Sequence, residues 1–263
     1  MKKYLIVAKT TFNDSIQYSG SIVMRFVGFA ITMLILISLW NFIYSGGAGV
    51  ISGYTFNQMI WYLLLAEVVT FGSGSKVATD EVRSCIKSGN IAYQVNKPYH
   101  YVIYIIFKFV ADTFIRFIMF LIIATVLGLV FAGSINGITF LTIISAIPVF
   151  FLAVLITGMV RILISLLSFW VEDSAPFQNV YNKIILMFGV FFPMEMFPKT
   201  IQKILRFSPV YGVSYGPAKV VISYSYGLFK EVIVSQIVIV IIVSIMLAIV
   251  YRIGVKKLNV NGG

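Results

Sequence analysis

Apolar residues run in long stretches along this chain, and polar residues gather at a few places between them. Ser21 to Ile43 carries one charge, Arg25. Thr55 to Phe71 carries Glu67, and Phe109 to Phe131 carries Asp112 and Arg116. Ile138 to Ile162 carries Arg161 and continues as helix toward Trp170. Phe177 to Phe192 carries Lys183, and Val232 to Ile253 carries Arg252. A helix of about 20 apolar residues crosses a bilayer. Barrel strands would instead alternate over segments of about 10 residues. The pattern therefore predicts an all-α integral membrane protein with six transmembrane helices.

The intervening segments have their own patterns. In 1–17, Leu5, Ala8, Phe12 and Ile16 recur at helical spacing, while Lys2, Lys9 and Asn13 fall elsewhere. This predicts an amphipathic helix on the membrane surface. Its apolar part is short and interrupted by Lys9, Asn13 and Asp14, so it is not read as a cleaved leader. The stretch 72–100 is polar and carries both signs of charge. At GVFFPMEMFPKTIQKILRFSP, Gly189 to Pro209, an apolar run breaks at Pro193 and turns basic. Lys199, Lys203 and Arg206 share one face of a short helix, and Ile201, Ile204, Leu205 and Phe207 lie largely opposite. Pro198 suits the helix start, and Pro209 helps to end it. A second apolar, tyrosine-rich piece follows at Tyr215 to Ser223. The segment 193–228 reads either as a cap that shortens the exit of the fifth span or as an external gate.

Composition agrees with a membrane protein: 60% of the 263 residues are hydrophobic and 11% are charged, against about 25% charged in soluble domains. Mean hydropathy is +0.98. A net charge of +11 is spread between the apolar runs, which fits orientation signals and lipid headgroups better than nucleic acid. The polar segments on the side of the termini hold Lys2, Lys3, Lys9, Lys76, Arg83, Lys87, Lys97, Lys256 and Lys257. The short opposite loops, Ser45 to Tyr54 and Ala132 to Gly137, hold none. Both termini are therefore expected in the cytoplasm, with the chain in the cell membrane.

Little catalytic chemistry is available. One cysteine, Cys85, and one histidine, His100, give no disulfide, no cysteine cluster and no paired-histidine zinc site. GSGSK at Gly72 to Lys76 lacks the Gly-Lys-[Ser/Thr] of a phosphate loop, and no Gly-Lys dipeptide occurs in the chain. No metal site or catalytic group is expected. Charges within the spans are the remaining candidates. Arg25, Glu67, Asp112, Arg116 and Arg161 are expected near the ends of their spans, where long side chains reach the interface. Lys183 falls near mid-depth. It either pairs with a carboxylate such as Glu67 or faces a polar path, and these two residues are the candidate pathway groups.

Three motifs in order carry a family resemblance: EVRSCIKSGNIAYQVNKP at Glu81 to Pro98, FFPMEMFP at Phe191 to Pro198, and NVNGG at Asn259 to Gly263. With the layout of spans, the chain resembles the membrane subunit of a type-2 ABC exporter, in particular bacterial permeases ending in Val-x-Gly-Gly. The resemblance covers essentially the whole chain, 1–263, as one transmembrane domain. It implies a connecting helix at 1–17, packed beside a cytoplasmic coupling helix in which Asp80, Glu81, Arg83, Ser84 and Lys87 contact an ATPase. It implies re-entrant outer helices forming an external gate with Phe192, Pro193, Glu195 and Pro198. It further implies separate ABC ATPase subunits that bind ATP and Mg, a second permease subunit, identical or related, and export of an amphipathic drug, peptide or lipid. The alternative is an ATP-independent carrier or channel. A lipid-modifying enzyme is poorly supported, because no catalytic constellation occurs.

Overall fold

Eleven α-helices account for most of the chain in a computed structural model, which describes residues 2–17, 19–47, 49–73, 77–135 and 137–261. Lys76, within GSGSK, and the closing Gly262 and Gly263 lie outside the described residues. The helices are α1 Lys2–Gln17, α2 Ser19–Ser45, α3 Phe56–Gly72, α4 Val77–Lys87, α5 Ile91–Val95 and α6 Tyr101–Ala132. They continue with α7 Phe140–Leu166, α8 Ala175–Ile185, α9 Lys199–Leu205, α10 Gly216–Ile222 and α11 Tyr226–Asn261. Two turns wound wider than an α-helix, Leu186–Phe191 and Tyr211–Tyr215, extend α8 and lead into α10. Among the described residues the only β pairing is one isolated bridge, Ile51 to Tyr54.

Among the described residues, four helical stretches are long and apolar enough to cross a membrane: Met24–Ser45, Tyr101–Ala132, Phe140–Phe169 and Tyr226–Lys257. The α3 helix is shorter, at 17 residues, or about 26 Å at 1.5 Å per residue. Every residue from Met59 to Val69 is buried in it, because α2, α6, α10 and both wide turns pack around it. A reciprocal cap starts it: Gln58 N donates to Thr55 Oγ1 at 3.4 Å, and Thr55 N donates to Gln58 Oε1 at 3.0 Å. At the far end of the neighbouring helix, Trp61 Nε1 donates to Gly133 O at 2.9 Å.

Two expectations shift. The α6 helix begins at Tyr101, eight residues before the apolar run at Phe109. Its extra turns carry Lys108, which pairs with Glu81 of α4; within the expected run Arg116 pairs with Asp112. The α1 helix forms, but it packs along α6 and not chiefly beside α4. Tyr4 stacks on Phe107 at 5.5 Å, Phe12 lies 6.4 Å from Phe114, and His100 N donates to Tyr4 Oη at 3.0 Å. The face turned inward is Tyr4, Val7, Ala8 and Thr11, leaving Leu5 and Ile6 exposed. One apolar stripe meets protein and another remains for lipid.

The two wide turns clasp each other. A Cβ on Gly189 would stand 2.9 Å from Ser214 Cβ and 3.0 Å from Val210 Cγ1, so only glycine permits this approach. We expect Gly189→Val to separate the turns and destabilise the bundle by about 1–3 kcal/mol. Thermal unfolding in mild detergent checks this; an unchanged midpoint would mean that the contact is dispensable.

Candidate functional site

Two clusters of charge, at opposite ends of the bundle, contain most of the residues singled out by the sequence. At the end where the chain starts and finishes, α4 buries Ala78, Thr79, Val82, Cys85 and Ile86. Asp80 in its first turn and Lys87 in its last complement the helix dipole. Asp80, Glu81 and Arg83 are half-buried, and Ser84 and Lys87 are exposed. The charges brace the helix. Arg83 pairs with Asp80 and lies 3.5 Å from Asp173, which is 3.9 Å from Lys87. Glu81 holds Lys108 of α6.

The turn between α7 and α8 is thereby tied to α4. Its Asp173 also accepts from Ala175 N at 3.1 Å. That bond first, and then Lys87 and Arg83, hold its carboxyl below the ordinary value. A depression of about 490 Å³ lies beside it, lined by Ile86, Lys87, Ser168, Phe169, Val171, Glu172 and Lys257. Asp173, Glu172 and Lys257 were missed from sequence. Their signal was a VED turn and a basic tail, neither distinctive without the fold.

At the other end, Glu195 joins three segments. Its carboxylate accepts from Tyr54 Oη at 3.0 Å and Tyr215 Oη at 2.7 Å, and pairs with Lys219 at 2.8 Å. Lys219 Nζ also donates to Tyr54 Oη at 2.8 Å and lies 4.1 Å from the centre of that ring. Burial, followed by neighbouring charges and phenols, holds Tyr54 and Tyr215 above the ordinary phenol range, so both remain donors. Burial alone would raise Glu195. The bonds from Lys219 and Tyr215 outweigh it and bring the carboxyl below its ordinary value.

The other expected gate residues surround this knot. Pro193 is buried, Phe192 meets Trp40 of α2 edge-on at 6.3 Å, and exposed Pro198 precedes α9. Leu205 points inward, while Ile204 and Phe207 are exposed. The tyrosine-rich piece is buried almost entirely against α3 and α7. Tyr54, Tyr215 and Lys219 were not singled out from sequence, because they lie far from Glu195 along the chain.

The candidate pathway residues do not meet. Glu67 is 1% exposed and faces the interior from α3, and its Oε2 has no hydrogen-bond partner. Lys183 is exposed on α8, whose main packing is on α7. No ion pair joins the two residues among those described. Arg161 is buried, and its Nη2 donates to Asn182 Oδ1 at 2.9 Å. Among the described residues, no group of three or more His, Cys, Asp or Glu side chains could hold a metal ion.

The profile of the ABC-2 family transporter proteins matches residues 29–262. This chain belongs to that family. It is a multi-pass membrane protein with the permease role in an ABC transporter, a family that works with ABC ATPases. No curated protein matches the chain. Within this permease, bracing of α4 and knotting around Glu195 occupy the two ends of one bundle.

Because Glu195 has a lower folded than unfolded pKa, its contribution is complete above the ordinary carboxylate value of about 4.3. It is lost as pH falls through the depressed folded value. We expect Glu195→Gln to lower the thermal midpoint at neutral pH, with the gap from the parent protein closing below about pH 4. Unfolding curves across pH measure this. A gap of constant size would exclude the carboxylate charge as its source.

Proposed function

We propose that this chain is one permease half of an ATP-driven exporter. The observation that carries the reading is the family match across 29–262. It is supported by an inner-type surface whose exposed groups belong to a short, mixed-charge helix. In this reading α3 and the α8 unit cross the membrane with the four longer helices, giving six spans. The α3 helix crosses despite its length because protein surrounds it. The lysine and arginine distribution supports a cytoplasmic position for α4 and both termini in this reading.

The α4 helix then serves as the coupling helix. Glu81, Arg83 and Lys87 hold it to α6 and to the α7–α8 turn, Asp80 pairs with Arg83 within it, and Ser84 faces the ATPase. ATP and Mg bind the ATPase subunits, since this chain has no Gly-Lys dipeptide with which to build a phosphate loop. Closure of two ATPases would press on α4, and the ion pairs to Asp173 and Lys108 would pass that movement to α8 and α6. The segment 193–228 serves as the outer gate, with Glu195 holding it shut against the loop at Tyr54. A second permease, identical or related, completes the path. The cargo is an amphipathic drug, peptide or lipid.

Ser84 separates docking from bracing, because its side chain is exposed and, among the described residues, bonds only to Glu81 O within α4. We expect Ser84→Trp to leave membrane insertion and thermal stability unchanged and to reduce ATPase co-purification by about tenfold or more. Native mass analysis of the mildly solubilised complex reads both. Stoichiometric ATPase on the variant would remove α4 as the docking helix. A parent chain that purifies without any ATPase and carries flux without ATP would favour the carrier or channel reading.

A further inference from the structure

Arg161 is a buried charge that lacks an acidic partner. It lies within the apolar stretch Phe140–Phe169 and is 7% exposed. One nitrogen donates to the neutral Asn182, and its Nε finds no acceptor. Beside it the Tyr181 hydroxyl is also buried without a partner, close enough for Arg161 to act on it electrostatically. The like charge of Arg25 on α2 reaches the same place.

Among the described residues no carboxylate pairs with Arg161. All nine acidic residues are among those described. Asp112 takes Arg116, and the other paired carboxylates take Arg83, Lys87, Lys108, Lys219 and Arg206. Glu67 forms no ion pair, and Asp14 and Glu172 are exposed on other elements. A desolvated guanidinium is costly without an anion, and its planar fork matches phosphate or carboxylate. The α2 helix packs on α3 and α6, and α8 packs on α7, with no extended packing between α2 and α8 among the described residues.

We propose that Arg161, Asn182 and Tyr181 form a binding site for the oxyanion of an acidic amphiphile, a phosphate or carboxylate headgroup reached from the bilayer between α2 and α8. Arg161 holds the charge, Tyr181 donates a hydrogen bond, and Asn182 orients the guanidinium. Whether that headgroup belongs to a resident lipid or to cargo rests on the permease reading; the site itself does not.

The test is Asn182→Asp, which sets an internal carboxylate against Arg161 and so competes with a bound anion without deleting the buried charge. The parent chain and the variant are placed in nanodiscs of phosphatidylcholine with a minority of phosphatidylglycerol, and retained lipid is counted by native mass spectrometry. Dodecyl phosphate is titrated separately into phosphatidylcholine nanodiscs. We expect the variant to keep or raise its thermal midpoint and to lose affinity for the oxyanion by about tenfold or more. Arg161→Gln should show the same loss. Selective retention of phosphatidylglycerol identifies a resident lipid, whereas ATP-dependent movement of dodecyl phosphate by the assembled complex identifies cargo. Equal binding by the parent and Asn182→Asp, or no retention of either probe by the parent, overturns the site. Probe binding that depends on residue 182 in a chain with no ATPase partner upholds the site and overturns the exporter reading instead.

Discussion

Backbone groups inside a bilayer have no water to bond, so each departure from regular helix must be satisfied by the protein itself. Among the described residues the widest departures are the turns at Leu186–Phe191 and Tyr211–Tyr215, and the central and last helices bond to them. Tyr62 Oη donates to Gly189 O at 2.6 Å. Gln236 Nε2 donates to Gly212 O at 2.7 Å and to Val149 O at 2.9 Å. Tyr62 is fully buried on α3, and Gln236 is fully buried on α11. The central helix and the last helix therefore each supply a donor to a carbonyl that a wide turn exposes. Tight contact between the turns at Gly189 and the burial of α10 depend on those bonds.

Charge is managed differently at the two ends. Around α4 the ion pairs are half-exposed and join neighbouring elements, so each contributes little alone but together they fix the helix in place. At Glu195 one carboxylate serves two phenols and an ammonium in a more enclosed setting, where hydrogen bonds to a charged group are stronger. The first arrangement suits a surface that must transmit force from a partner. The second suits a closure whose release requires several bonds to break together. Between them lies Arg161, where the charge has been left for something outside the chain.

Much of the fold is legible in the sequence because membrane burial imposes long apolar runs. All six predicted runs are helical, and the caps at Thr55 and Thr139 can be read from local residue types. The start of α6 was misplaced because a hydropathy reading counts Lys108 as cost; it cannot know that Glu81 of α4 pairs with it. Which face of α1 packs on α6 was not legible for a related reason. Helical periodicity finds a stripe, but with apolar residues on two sides it does not say which stripe meets protein.

The outer segment marks the same boundary. Pro193, Pro198 and the basic spacing of Lys199, Lys203 and Arg206 announce a break and a short helix, and both occur. Nothing local announces that Glu195 will meet Tyr54 from far upstream, or that Gln236 will cap a turn. Likewise Lys183 and Glu67 are plausible partners along the chain, yet one faces outward from α8 and the other into the core. The solvent, the helices and the positions of their breaks follow from the local pattern of residues, because backbone satisfaction and hydrophobic burial act over a few consecutive turns. Which buried polar groups meet emerges in the packed bundle alone, because that depends on helix rotation and the wide turns, and a rotation of a third of a turn exchanges a partner for lipid.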